Sequence, residues 1–365
     1  MDSGTTMSAD GIIMDSIKER DYRVSLGGLN PTGASMNIID EFGRKQLVGK
    51  CHRQEWYKRT GVEKTNFPRE VNLNKMEIGN AMEDNLQSHW NRKGVMLAGN
   101  VKVREDIGEE GEEIIISGEV DVILREALKD DEGRLEISNK TAIGIEVKSG
   151  RGYFQSKKIM GNRNKLYSQG YPKYEHIMQV ALYLRMRKNL EEHYNVEIPY
   201  FLLVYYLVDS GESTQFRIEL SDGYQGEIIV KNRDGKVIKP NAAYCFEMEM
   251  NEILLPDMVQ EMTMENILNR YRELQEKLTI DTPPERDFEL RYQNADQVAE
   301  DFRLGIITKS RHDEYLKKEL ASIGDWQCSF CDWKEVCYPQ GVLTLDVENG
   351  IISAEDATAK LPKWW

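Results

Sequence analysis

The alternation of apolar and polar positions divides the chain into helical and extended stretches. Residues 1–45 are rich in Gly, Ser and Asn with weak periodicity, which predicts a loose arm with a short helix near Ile38–Arg44. From Gln46 to Arg59 the run QLVGKCHRQEWYKR predicts a helix carrying Cys51. Residues 74–93 place Ile78, Met82, Leu86 and His89 near one face of a second helix, with His89 as a packing histidine and Asp84 solvated. Glu113–Glu126 and Thr141–Lys148 are rich in β-branched residues, and KDDEGRLE between them predicts a turn. Residues 174–188 predict an apolar helix with a basic end. The uninterrupted apolar run Tyr200–Val208 predicts a central, buried strand. Asp209–Lys239 predicts strands joined by turns, with Asp234-Gly235 as a hairpin signal. Residues 252–278 predict a long helix interrupted by Pro256 and stopped by Thr282-Pro283-Pro284. The order helix, strand, strand, helix, strand points to an α/β (α+β) fold, a central mixed β-sheet flanked by helices.

Composition narrows the function classes. At 365 residues, 40% hydrophobic and 30% charged, the chain is of ordinary globular make-up, and no run approaches the roughly 18 apolar residues of a membrane span. Five Cys do not make a disulfide scaffold, and the N-terminus lacks a secretory pattern, so an intracellular protein is expected. The net charge of −14 argues against polyanionic partners in general. Its distribution argues otherwise: from Lys148 to Lys188 there are ten Lys or Arg and one acid, Glu175. A basic stretch on an acidic body can hold nucleic acid at one groove, with Arg151, Lys157, Lys158, Arg163 and Lys165 as candidate phosphate contacts.

Two constellations carry chemistry. In Ile145-Glu146-Val147-Lys148, strand alternation sends Glu146 and Lys148 to one face and Ile145 and Val147 into the core. Asp121, in Gly118-Glu119-Val120-Asp121, can face them if the two strands pair. Asp121, Glu146 and the carbonyl of Val147 would offer oxygen ligands to Mg²⁺ or Mn²⁺, with Lys148 placed to orient a water or stabilise a phosphorane-like transition state. The bland alternative is a salt bridge on a strand. The second constellation is Cys328-x2-Cys331-x5-Cys337, with Cys51 far upstream. Thiolates so spaced favour Zn²⁺ or an iron–sulfur cluster, the fourth ligand closing a segment of 277 residues (328 less 51). His52 beside Cys51 keeps a Cys₃His zinc site open, and Cys245, outside the pattern, is expected to be a buried apolar thiol.

Together these motifs resemble the PD-(D/E)XK nuclease superfamily, in its RecB-like branch: G-x-x-D at Gly118–Asp121, E-x-K at Glu146–Lys148, and Q-x-x-x-Y at Gln179–Tyr183, on one helix face with His176. The resemblance covers about residues 45–340, leaving 1–44 as an arm, 341–365 as a tail and 209–240 as a β insertion. It implies a restriction-endonuclease-like core and a catalytic set of Asp121, Glu146, Lys148, Gln179 and Tyr183. Where the branch often has G-x-x-x-H, this chain has Gly79-x3-Glu83, which implies Glu83 as an acidic metal ligand with Asp121, Glu146 and Val147. An upstream Cys with a downstream C-x2-C-x5-C resembles CRISPR-associated RecB-like exonucleases and the AddB nuclease domain. That implies a [4Fe–4S] cluster on Cys51, Cys328, Cys331 and Cys337, shielded by Trp326, Phe330, Trp333 and Tyr338, with structural Zn²⁺ as the alternative. The implied activity is exonucleolytic cleavage of DNA at single-stranded ends, in a prokaryotic cytoplasm or for a virus in its host cell. Recombination, replication or CRISPR proteins, or further copies of the chain, would be its partners. The rivals are a catalytically weak DNA-binding or assembly subunit and a structure-specific endonuclease.

Overall fold

A computed structural model of the chain describes residues 28–39, 45–66, 70–109, 112–129, 132–150, 159–161, 170–238, 262–288, 290–293, 295–304, 309, 312–313, 321–324 and 326–338. In chain order the principal elements begin with β1 (Ser35–Ile39), β2 (Lys45–Gly49), α1 (His52–Arg59), α2 (Glu70–Arg92), β3 (Met96–Asp106), β4 (Ile115–Lys129) and β5 (Leu135–Gly150). There follow α3 (Tyr174–Met186), α4 (Lys188–Tyr194), β6 (Phe201–Leu207), β7 (Ser213–Asp222) and β8 (Gln225–Lys231). The remainder comprises α5 (Met264–Leu278), β9 (Leu290–Gln293), α6 (Ala295–Arg303), β10 (Ala321–Gly324), α7 (Trp326–Ser329) and α8 (Lys334–Cys337). These residues fall into two compact units: one from Met1–Pro31, Pro68–Pro172 and His176–Ile238, the other from Thr32–Phe67, Lys173–Glu175 and Lys239–Trp365.

The first unit is built on a six-stranded sheet in the order β3-β4-β5-β6-β7-β8. Neighbours are antiparallel except β5 and β6, which run parallel because the intervening chain, including α3 and α4, carries it back over the sheet. Ile145 and Val147 of β5 join Val95, Val122 and Leu124 in a core against Leu86 and Trp90 of α2. On α3, Ile177, Met178, Val180, Ala181, Leu182, Tyr183 and Leu184 are all buried, so this helix is apolar nearly all round. The expected Tyr200–Val208 strand is β6, inside the sheet, and β7 and β8 of the 209–240 stretch extend it, with 239 and 240 outside the described residues. Asp234-Gly235 does turn the chain, with Gly235 at φ 78° and a bridge between Lys231 and Val237.

In the second unit β1 and β2 form an antiparallel pair, as do β9 and β10. Helix α5 starts at Thr263, whose side chain accepts from the Asn266 N–H, and buries Ile267, Leu268, Tyr271 and Leu274 at helical spacing. Trp56, Tyr57 and Trp333 form a further core.

Several expectations change. The helix over Gln46–Arg59 is two elements: Leu47 and Val48 belong to β2, Gly49 turns at φ 99°, and α1 begins only at His52, with Cys51 as its N-cap. The stretch expected to hold a short helix has β1 through Ile39, and 40–44 lies outside the described residues. His89 is exposed and hydrogen-bonded to Arg92 rather than packed, since α2 turns that flank to solvent. Asp84 is exposed as expected. Pro256, Cys245 and the N-terminal part of the predicted 252–278 helix lie outside the described residues, as do Arg151, Lys157, Lys158, Arg163 and Lys165.

Candidate active site

The E-x-K strand lies inside the sheet, between β4 and β6, so both its edges are paired, and α2 and α3 cover its two faces. Its alternation holds: Ile145 and Val147 face α2, while Glu146 meets α3 on the other side. Glu146 is therefore buried, 1% exposed, and a lone carboxylate there needs partners. Lys148 Nζ donates to Glu146 Oε1 at 2.5 Å, and Gln179 Nε2 donates to the same oxygen at 2.8 Å. Gln179 Nε2 also donates to the Tyr183 hydroxyl at 3.0 Å, and the Glu119 backbone bonds that hydroxyl in turn. Glu146 Oε2 is buried with no hydrogen-bond partner.

Toward the site the β4–β5 ladder runs as far as Val122 with Ile145. Beyond it, Asp121 Oδ2 accepts the Val147 N–H at 2.8 Å, so the carboxylate side chain replaces a backbone partner and is fixed beside Glu146. Glu83 comes from α2, where Gly79, one turn earlier, allows close approach to β5: a Cβ there would lie 2.9 Å from Ser149 Oγ. Gly118 of the G-x-x-D motif has an equally local reason. A Cβ at 118 would lie 2.9 Å from both Tyr183 Cε1 and Pro31 Cγ.

The electrostatics follow from this crowding. Burial raises the Glu146 pKa above the usual carboxylate range, with the nearby Glu83 adding to it and the Lys148 ammonium opposing. Burial also works against the Lys148 charge, but the carboxylates of Glu146, Asp121 and Glu83 outweigh it and hold its pKa above the ordinary value. Burial, then the Glu146 charge, raises the Tyr183 hydroxyl. Thus Glu83, Asp121, Glu146, Lys148, Gln179 and Tyr183 come together. Among the described residues no three His, Cys, Asp or Glu side chains stand as a preformed metal cage. The donor set nevertheless suits a hard divalent cation: carboxylate oxygens, one of them buried and unsatisfied, are what Mg²⁺ or Mn²⁺ takes.

One neighbouring residue, Tyr205, escaped the sequence reading. Tyr205 is in register with Lys148 on the adjacent strand, and its hydroxyl hydrogen-bonds His176 Nδ1 at 2.8 Å. His176 was already placed on the Gln179 face by its spacing; its partner Tyr205 is brought in by the pairing of β5 with β6, which no local pattern specifies.

In the second unit, Cys51, Cys328, Cys331 and Cys337 line one cavity, none of them in a disulfide. Burial, then the Asp287 carboxylate, pushes the Cys51 thiol up to about 11, against backbone hydrogen bonds from Asp287, Gln54 and Arg53. Burial pushes Cys331 up to about 11 as well, with Cys51 and Cys337 adding to it. Arg53 Nη1 donates to Cys337 Sγ at 3.8 Å. Four soft donors on one cavity fit a thiolate-bound centre, whose positive charge would offset the burial that raises the Cys51 and Cys331 thiols. His52 does not line this cavity; its N–H donates to Asp287 Oδ2, and burial, then Arg270, lowers its ring pKa to about 4. Of the expected shielding aromatics, Tyr338 lines the cavity and Trp333 packs with Tyr57 beside Cys331 and Cys337. Phe330 is instead 71% exposed, because the short turn between Cys328 and Cys331 points it outward; Tyr57 and Phe288 line the cavity in its place. The burial of Trp326 lies outside the described side chains.

No family model matches the chain, and no curated protein sequence does. Among solved structures, one described as "Crystal structure of SSO0001" is similar over 58% of this chain and 78% of its own, at 15% identity and a TM-score of 0.33. At that level the likeness leaves the chemistry to be argued from the chain's own residues. Among the described residues no helix is long and apolar enough to cross a membrane.

Proposed function

We propose that the chain is a metal-dependent DNA nuclease of the PD-(D/E)XK type, acting on free single-stranded ends, with a [4Fe–4S] centre on its four patterned cysteines. The observation that carries this reading is Glu146: a buried carboxylate bridged by Lys148 and Gln179, with its second oxygen unpartnered and Asp121 fixed beside it. Glu83, Asp121, Glu146 and the carbonyl of Val147 are the residues that would hold Mg²⁺ or Mn²⁺. When bound, such an ion acidifies water and neutralises charge on the scissile phosphate. Lys148 orients the attacking water and stabilises charge developing on the phosphoryl oxygens. Gln179 holds Glu146 in place, and Tyr183 holds Gln179. A P–O ester bond breaks as the water oxygen bonds to phosphorus, and the leaving oxygen takes up a proton. Arg151, Lys157, Lys158, Arg163 and Lys165 are the proposed phosphate contacts along the strand.

The test is incubation of anaerobically purified protein with end-labelled linear single-stranded DNA and Mn²⁺, beside Lys148→Ala and a circular substrate. Expected is Mn²⁺-dependent release of mononucleotides or short oligonucleotides from linear DNA only, at least about 100-fold slower in the variant. Unchanged cleavage by Lys148→Ala would sink the mechanism. Tight DNA binding without cleavage by either protein would favour the assembly-subunit reading.

A further inference from the structure

We infer that Gln87, outside every motif above, is a positioning residue that aims the Glu83 carboxylate and ties α2 to the strand bearing Asp121. The inference rests on the metal-site reading just given and names a residue that reading does not use.

Gln87 lies one turn after Glu83 on α2, so the two side chains share a face. Its Nε2 reaches three oxygens from three elements: Glu83 Oε1 at 3.1 Å, the Asp121 backbone carbonyl at 3.3 Å, and Asn100 Oδ1 on β3 at 3.4 Å. One amide thus touches a candidate metal ligand and the backbone of another. Two local features of β3 fit this. Gly99 leaves space that the amide shares with the Met96 methyl, since a Cβ there would lie 2.9 Å from Gln87 Oε1 and 2.5 Å from Met96 Cε. Asn100 has a left-handed backbone, φ 52°, a conformation that a non-glycine residue seldom adopts and that Asn tolerates better than most.

The chemistry explains why an amide is suited to this position. Glu83 and Asp121 bring negative charge together near Glu146. A cation at 87 would hold Glu83 equally well but would add a second positive charge beside Lys148 and compete with a divalent ion. A neutral donor orients the carboxylate and leaves its charge for the metal. Outer-shell partners of this kind commonly change metal affinity by about 10–100-fold when removed.

The test is calorimetric titration of Mn²⁺ into the full-length protein, comparing the unaltered chain with Gln87→Leu, Gln87→Lys and Glu146→Gln. Unfolding of each without Mn²⁺ is measured alongside. Expected is Mn²⁺ binding about tenfold weaker in Gln87→Leu and weaker still in Gln87→Lys, with a metal-free melting temperature near that of the unaltered chain in both. Gln87→Met, nearer in shape, replaces Gln87→Leu if the latter does not fold, with the same expectation. Unaltered affinity in the apolar variant, while Glu146→Gln loses Mn²⁺, would overturn the role of Gln87 alone. Absence of Mn²⁺ binding by the unaltered chain would overturn the metal reading and this assignment with it.

Discussion

At Gly118 the side chain is missing because Tyr183 and Pro31 occupy its place. Gly118→Ala puts a methyl about 2.9 Å from both, where real carbon contacts do not lie. It should destabilise the protein by about 1–3 kcal/mol, as overpacking of a close contact does, read as a lower denaturant midpoint at unchanged slope. Tyr183→Phe keeps the ring but removes the hydroxyl that Gln179 and the Glu119 backbone share. A loss of about 1 kcal/mol is expected, with retained folding and slower cleavage, because Gln179 then has only Glu146 to hold it. The identities of these residues were legible in short motifs, and so was their convergence, since strand and helix periods fix which side chains share a face. The burial of Glu146 was not. Alternation puts it opposite the Ile145 and Val147 core, and only a helix on the second face of the sheet closes it off. Gln87 was illegible for a different reason: its partners Asn100 and Asp121 are brought to it by the pairing of β3 with β4, which no local pattern specifies.

At the scale of elements, α2 is positioned by Gly79. The helix comes close enough to β5 that a Cβ at 79 would lie 2.9 Å from Ser149 Oγ. That hydroxyl can rotate away from one methyl, and alanine is favoured over glycine inside a helix by about 1 kcal/mol. Gly79→Ala should therefore fold with stability unchanged or slightly raised. Gly79→Leu adds three further carbons that no rotation of Ser149 can admit. It should lose about 1–3 kcal/mol and, by pushing Glu83 away one turn on, weaken Mn²⁺ binding; thermal unfolding with and without Mn²⁺ would separate the two effects. This helix was readable because its apolar spacing is sustained over many turns. The stretch Gln46–Arg59 was not, because QLVGK satisfies a helical pattern and a strand pattern equally. The deciding facts are the pairing of β1 with β2 and the positive φ at Gly49, the first a tertiary choice and the second a consequence of it.

Across the whole molecule, chain order and structural unit part company. The second unit takes residues from Thr32–Phe67 and then from Lys239–Trp365, so it is completed only by segments far apart in sequence. Cys51 belongs to the first of these and Cys328, Cys331 and Cys337 to the last. A centre held by all four would close a loop of 277 residues that contains every strand of the six-stranded sheet. On the chain-entropy account, a cross-link of that length is worth about 5 kcal/mol, most of it from restricting the unfolded chain. Chelation of iron, or Cys331→Ser, is therefore expected to speed hydrogen exchange first in α1, α7 and α8, and to lower the unfolding midpoint by an amount of that order. Lys148→Ala should leave iron and acid-labile sulfide at the unaltered level while slowing cleavage at least about 100-fold. Should iron-free protein exchange its α1 and α8 amides as slowly as the loaded form, the four thiols do not hold the ends of the chain together. Their common cavity would then be an effect of aromatic packing around Trp333 rather than its cause.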